Sequence, residues 1–346
     1  MAHNITERDG IFTVREPAWH KLGTVFTDYP TREEAQKLVH PWEPVTEPLY
    51  RKVPYIRPHT HTAACAPECT ITEDLGEEYV EIESGVLNSR SDDGSELGVV
   101  SPTMETVTNN ELWEVAQALE DSGSDVMYES GGSLKGGRKV WVLIRLKEPL
   151  EMPGDPNGAT IPYYALQNSH DGSGAFRGQA TMTRIVCDNT SQLADLDAQM
   201  RGTEFVFRHT KNIRERIEDA REALAGWRHS IEEWKQFNAH MMAHKITIED
   251  RDNFLTTFIP EPEGRIISER VRNNIRKARD EWLEVWAGLT NEGVNMTAMG
   301  LVHASVEYSQ HYRRARSAES RFKRAYLDRS ELTSSAVAIA REVVGA

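Results

Sequence analysis

Four side chains with the chemistry of zinc ligands, His59, His61, Cys65 and Cys69, fall within eleven residues. Imidazole and thiolate can close a tetrahedral structural site. The spacing His-x-His-x3-Cys-x3-Cys is not a standard finger spacing, and four ligands in one tight loop are geometrically demanding. The alternative is a surface loop with a labile Cys65–Cys69 pair. A second group is cationic: Lys135, Arg138 and Lys139 follow a glycine-rich run. No Gly-x4-Gly-Lys-Ser/Thr can be read there, so this is not a nucleotide phosphate loop. Its charges suit a nucleic-acid backbone, or else form the solvated rim of a hairpin. A third group is His170 beside Asp171, a general base and partner in outline. No activated nucleophile accompanies them, because Cys187 sits in an apolar run and reads as a core thiol. The same turn reads as a ligand-facing loop near Arg177 and Arg184, with Phe176 for stacking on bases. The last group is a helix that begins Arg313, Arg314, Arg316 and continues to Arg329, with seven basic and two acidic residues. It can bind phosphates or lie against acidic surface of the chain or a neighbouring subunit.

These groups need a scaffold, and the apolar periodicity supplies one. Thr31 precedes a helical run to Val39, and Asn109–Ala118 carries Leu112, Val115 and Ala116 at helical spacing. Strands are expected at 79–83, 97–101, 126–129, 139–146, 161–167 and 179–187, with a glycine loop at 130–138 and a dense turn at 168–174. Asp188-Asn-Thr190 is expected to cap a helix starting at Ser191. Helices are expected over 212–237, from Thr247, over 268–286, over 302–326 and over 334–344. The fold class is therefore α+β: a mostly antiparallel sheet core (strand-strand-strand-helix) followed by a helical C-terminal region. The division is a core over 1–205, with an insertion at about 57–71, and a helical domain or arm over 206–346.

Charge sharpens this division. The chain of 346 residues has a net charge of −14. Residues 1–205 hold 33 acids and 17 bases, net −16; residues 206–346 hold 21 and 23, net +2. A uniformly basic nucleic-acid coat is excluded, but a local basic groove is not. Three cysteines do not make a disulfide-built secreted fold. The amino-terminal residues lack the apolar core of a signal peptide, and no run approaches the roughly 18 apolar residues that span a bilayer. A cytoplasmic protein without membrane contact is expected, in the host cytoplasm if phage-encoded.

The run Asn168-Ser-His-Asp-Gly-Ser-Gly174, followed by Thr183-Arg-Ile-Val-Cys-Asp-Asn-Thr190, resembles the signature of a phage- and plasmid-related family whose domain is catalogued as one of unknown function. Pro17-Ala-Trp-His-Lys-Leu-Gly-Thr24, Ser130–Trp141, Arg208-His-Thr-Lys211 and Ala304-Ser-Val-Glu-Tyr308 fit the same pattern. Residues 57–71 depart from it, as does Asp188, where the pattern has Gln or Asn. The resemblance implies a mobile-element origin and brings no established activity. The core outline is also similar to that of ring-forming annealing recombinases.

Three functions follow as expectations. The first is handling of single-stranded DNA in recombination or replication, by binding or annealing without chemistry, as a homo-oligomer. Lys135, Arg138, Lys139, Arg177 and Arg184 would then hold the backbone. The second is a protein-binding module acting on a host factor. The third is an enzyme using His170 and Asp171. Zinc is the sole cofactor suggested.

Overall fold

The computed structural model describes residues 8–15, 23–58, 72–121, 123, 125–156, 158–184, 189–192, 204–224, 227–262, 268–313, 316, 320 and 331–345. The expected zinc ligands and Cys187 lie outside these residues. So do Arg314 and most of the late basic run.

The expected α+β architecture is present. The larger sheet contains β1 (Ile11–Val14), β2 (Thr24–Phe26), β6 (Val126–Leu134), β7 (Lys139–Leu146), β8 (Thr160–Ser169), β9 (Phe176–Arg184), β10 (Asn189–Gln192) and β11 (Glu204–Phe207). Its order is β10-β9-β8-β7-β6-β1-β2, with β11 also paired to β9. All its pairings are antiparallel except β1 with β2. The smaller sheet pairs β3 (Pro44–Pro58), β4 (Thr72–Arg90) and β5 (Glu96–Val100) in that order.

The helices are α1 (Arg32–Val39), α2 (Asn109–Asp121), α3 (Ile213–Leu224), α4 (Trp227–Ala243), α5 (Ile248–Phe258), α6 (Glu269–Trp286), α7 (Ala298–Glu307) and α8 (Glu331–Val344). Their starts follow from capping chemistry. Thr31 and Glu34 form a reciprocal capping box on α1, Thr247 and Asp250 form one on α5, and Ser268 caps α6. A π-helical turn, Tyr308–Tyr312, follows α7.

One face of the large sheet carries Val140, Val142, Ile144, Tyr164, Leu166, Phe176, Ala180 and Met182. These join α1 and α2 in a hydrophobic cluster that continues through Trp227, Trp282, Val302 and Ala336. The two parts divided by charge therefore share one core cluster. Trp141, Leu143, Tyr163 and Ala165 form a second cluster on the opposite face. Strand β7 is buried on both sides, which is why it reads as an unbroken apolar run.

Two local expectations are corrected. Ser191 and Gln192 do not begin a helix; with Asn189 and Thr190 they pair in register with Met182, Thr181, Arg184 and Thr183. The ladder with β9 outweighs the capping tendency of the Asx residue. Residues 130–134 are strand rather than loop. Gly131 and Gly132 continue β6 because β1 runs too close for side chains: a Cβ at Gly132 would sit 2.7 Å from the Gly10 carbonyl oxygen. No helix among the described residues is long and apolar enough to cross a membrane.

Candidate nucleic-acid interface

The turn joining β6 to β7 is built for a fixed shape. Lys135, Gly136 and Gly137 all lie in the left-handed region, at φ 59°, 74° and 98°. The Asp9 carboxylate accepts hydrogen bonds from the backbone N–H of Gly136 and Gly137, both at 3.0 Å, and from the Ser133 hydroxyl at 2.9 Å. Below the turn the Arg90 guanidinium stacks on Trp42, 4.4 Å from the ring centroid. Arg90 also pairs with Asp92 through two hydrogen bonds of 2.7 and 2.9 Å and donates to the backbone oxygens of Arg8 and Gly136. This frame leaves Lys135 and Arg138 exposed and Lys139 half-buried. Lys135 and Arg138 form no ion pair among the described residues.

The β8–β9 turn lies directly beside it, because the His170 N–H donates to the Arg138 carbonyl at 2.9 Å. Each residue of the Asn168–Asp171 run fastens this turn. The Asn168 amide donates to the Val107 carbonyl, and Asn88 donates to the His170 carbonyl. One Asp171 carboxylate oxygen accepts from the Ser169 hydroxyl at 2.6 Å and the Ser173 N–H at 3.0 Å. Burial alone would raise the Asp171 carboxyl. The hydrogen bonds from Ser169 and Ser173, with Lys139 nearby, hold it below its ordinary value instead.

The His170 side chain points inward and is 0% exposed. Its Nε2 lies 3.0 Å from Asn109 Oδ1. The Asn109 amide nitrogen donates to the Trp42 carbonyl, so Oδ1 is the acceptor and His170 Nε2 carries the proton. A second buried imidazole, His40, accepts at Nδ1 from the Trp113 indole N–H (3.1 Å) and faces the Gly132 carbonyl through Nε2 (2.9 Å). Glu43 completes the network by accepting from the backbone N–H of Asn109 and Asn110 at the start of α2. Burial lowers both histidines, His40 to about 4 and His170 to about 3, so both are neutral at pH 7. His170 is thus a structural fastener. It cannot contact a nucleic acid or serve as a base toward solvent, which corrects its place among the expected site residues.

A cleft of about 350 Å³ opens beside the β8–β9 turn, between Gly172–Ala175 and the segment Arg208–His209 that follows β11. Arg208 is exposed. His209 Nδ1 faces the Glu105 carbonyl at 3.0 Å, and burial lowers this imidazole below the ordinary histidine value, against the opposing pull of that hydrogen bond. Arg177 opens β9 at the same end of the sheet, opposite Val206 of β11, and is half-buried.

Two further expectations change. Phe176 is 0% exposed and packs against Phe205, with ring centroids 5.2 Å apart, so it is a core ring and not a stacking platform. Arg184 pairs with Thr160 at the far end of β9. That is about 23 Å from Arg177 at about 3.3 Å per residue. Arg313, in extended backbone where the π turn ends, and Arg316 are exposed, so the helix expected over 302–326 does not run through them. Among the described residues no group of three His, Cys, Asp or Glu could hold a metal ion.

The structure therefore gathers Lys135, Arg138, Lys139 and Arg177 at one end of the large sheet. To these it adds Arg208, exposed on the rim of the adjoining cleft. Asp9, Trp42, Glu43, Arg90 and Asn109, which hold that end in shape, come from distant segments and have no local sequence signal.

The profile of a protein family described as Domain of unknown function (DUF932) matches residues 96–327, from β5 through α7 and onward. No curated protein and no solved structure matches the chain. Because the matched span is more than half of the 346 residues, the chain belongs to the DUF932 family.

Proposed function

We propose that the basic end of the large sheet binds the phosphate backbone of single-stranded DNA, and that the protein serves recombination or replication of a mobile element by binding or annealing. The observation that carries this reading is the pair Lys135 and Arg138. They are exposed, held out by a turn fixed on Asp9 and Arg90, and without acidic partners among the described residues. Arg208 on the rim of the adjoining cleft extends the same surface. A strand laid across these cations releases counterions, so its affinity falls steeply with salt. The mobile-element assignment rests on the resemblance of the Asn168–Gly174 and Thr183–Thr190 runs. The bases would stay accessible for pairing, since no aromatic ring described at this end is exposed. The test is filter binding of single-stranded DNA to the wild type and to a variant with Lys135, Arg138 and Lys139 replaced by Ala. The variant should bind at least tenfold more weakly with an unchanged thermal melt. Equal binding would refute the reading.

A further inference from the structure

Beyond the large sheet, β3 and β4 form a ribbon that projects from the fold. Their pairing runs from Pro44–Arg90 to Pro58–Thr72, whereas β5 covers only Val86–Ser89 of β4. No residue of 45–55 or 76–84 is buried. A two-stranded ribbon with no buried face is marginal on its own in water. This one nevertheless displays Tyr50, Tyr55 and Tyr79, at 54%, 43% and 71% exposure. In register, Glu77, Tyr79 and Glu81 alternate along one face, with Lys52 opposite Tyr79 and ion-paired to Glu77. Glu78 and Glu83 add further carboxylates to β4.

A complementary surface lies on the helical part. None of residues 269–281 of α6 is buried. Arg272, Arg276 and Arg279 line a groove of about 340 Å³ between α5 and α6, with Leu255, Ile275 and Leu283 as its apolar lining. Arg279 is committed to the Ile259 carbonyl through two hydrogen bonds. Arg272 and Arg276 form no ion pair among the described residues. Asp252, Glu261 and Asp280 also line the groove, so an incoming Lys meets acid there too. Same-face groups on a strand step by about 6.6 Å, so Glu77 and Glu81 lie about 13 Å apart. Arg272 and Arg276, one helical turn apart, step by about 6 Å, so a single ribbon carboxylate faces both arginines.

We propose that the β3–β4 ribbon of one copy of this chain docks in the α5–α6 groove of a second copy. Tyr79 lies over the apolar lining, where an arginine can stack on its ring. Glu81 meets Arg272 and Arg276, and Lys52, beside its partner Glu77, meets Asp252 or Asp280. The two surfaces differ, so the contact is heterologous. It closes as a reciprocal pair or a ring, or else extends as a filament.

Sedimentation of the full chain tests this. The wild type should associate with increasing concentration, more tightly at low salt. Glu77→Lys with Glu81→Lys, and separately Arg272→Glu with Arg276→Glu, should each weaken association at least tenfold, as should Tyr79→Ala. All five residues are exposed, and circular dichroism checks that each variant is folded. Mixing the two charge-reversed proteins should restore association, because each then presents the charge the other needs. A wild type that stays monomeric at every concentration would overturn the proposal. So would reversed variants that associate like the wild type, or a mixture that fails to recover. Loss of DNA binding in the Arg272→Glu, Arg276→Glu variant without any self-association would assign the groove to nucleic acid and also count against it. Replacing Lys135 and Arg138 should leave association unchanged, which separates this proposal from the DNA-binding one.

Discussion

His170 shows how one side chain can satisfy the composition of a reactive turn and do something else. Asn, Ser, His, Asp and Gly favour turns whichever way their side chains point. The 168–174 turn was therefore legible in the sequence, while the inward direction of the imidazole was not. That direction depends on Asn109, 61 positions earlier. The consequence is a pH dependence of stability. His40 and His170 are neutral when folded and take up protons near pH 6.5 when unfolded, so the unfolded state binds more protons in acid. Stability is full above about pH 6.5 and falls as the pH drops toward the folded values of about 4 and 3. The loss at pH 4 is on the order of 3 kcal/mol for each histidine at most. Urea melts at pH 7 and pH 4.5 measure it. Replacing His170 by Phe should flatten its part of the slope. Asn109→Ala should cost about 2 kcal/mol at pH 7, because it leaves His170 and the Trp42 carbonyl without partners.

Elements with local signals were read well. Thr31 and Glu34, Thr247 and Asp250, and Ser268 mark helix starts by chemistry contained in four residues, and the helices begin there. Thr247→Ala should lower stability by about 1 kcal/mol in a thermal or urea melt. Elements decided by distant partners were misread. Gly131 and Gly132 looked like loop because their purpose is the approach of β1, about 120 residues earlier in the chain. Asn189–Gln192 looked like a helix start because its ladder with β9 is tertiary. The β6–β7 turn combines both kinds of signal. Its glycines announce a turn, but its fixed shape needs Asp9, Trp42 and Arg90. At Gly137 a Cβ would sit 2.6 Å from the Trp42 ring, and φ is +98°. Gly137→Ala should therefore destabilise the fold by about 2 kcal/mol or more. Under the proposed function it should also weaken DNA binding by displacing Lys135 and Arg138, read as a lower melt together with a weaker titration.

Across the whole molecule, the charge split of −16 and +2 follows sequence position more than space. One core cluster runs through both parts, and the cations that matter are gathered by the fold. Lys135 and Arg138 belong to the acidic part, yet they lie at the same end of the large sheet as Arg208 of the near-neutral part. The carboxylates of β4 stand apart from them on a projecting ribbon. The total of −14 thus describes separate surfaces: a basic end on the large sheet, an acidic ribbon and an arginine-lined groove. The family match begins at β5, so the ribbon precedes the matched span, while the basic end lies within it. The most direct test of the central claim is a titration of the full chain with single-stranded DNA at two salt concentrations. The proposed function predicts measurable binding at low salt that weakens steeply at the higher salt, and a shallower salt slope once Lys135, Arg138 and Lys139 are Ala. No binding at low salt, or binding indifferent to both salt and these substitutions, would contradict it.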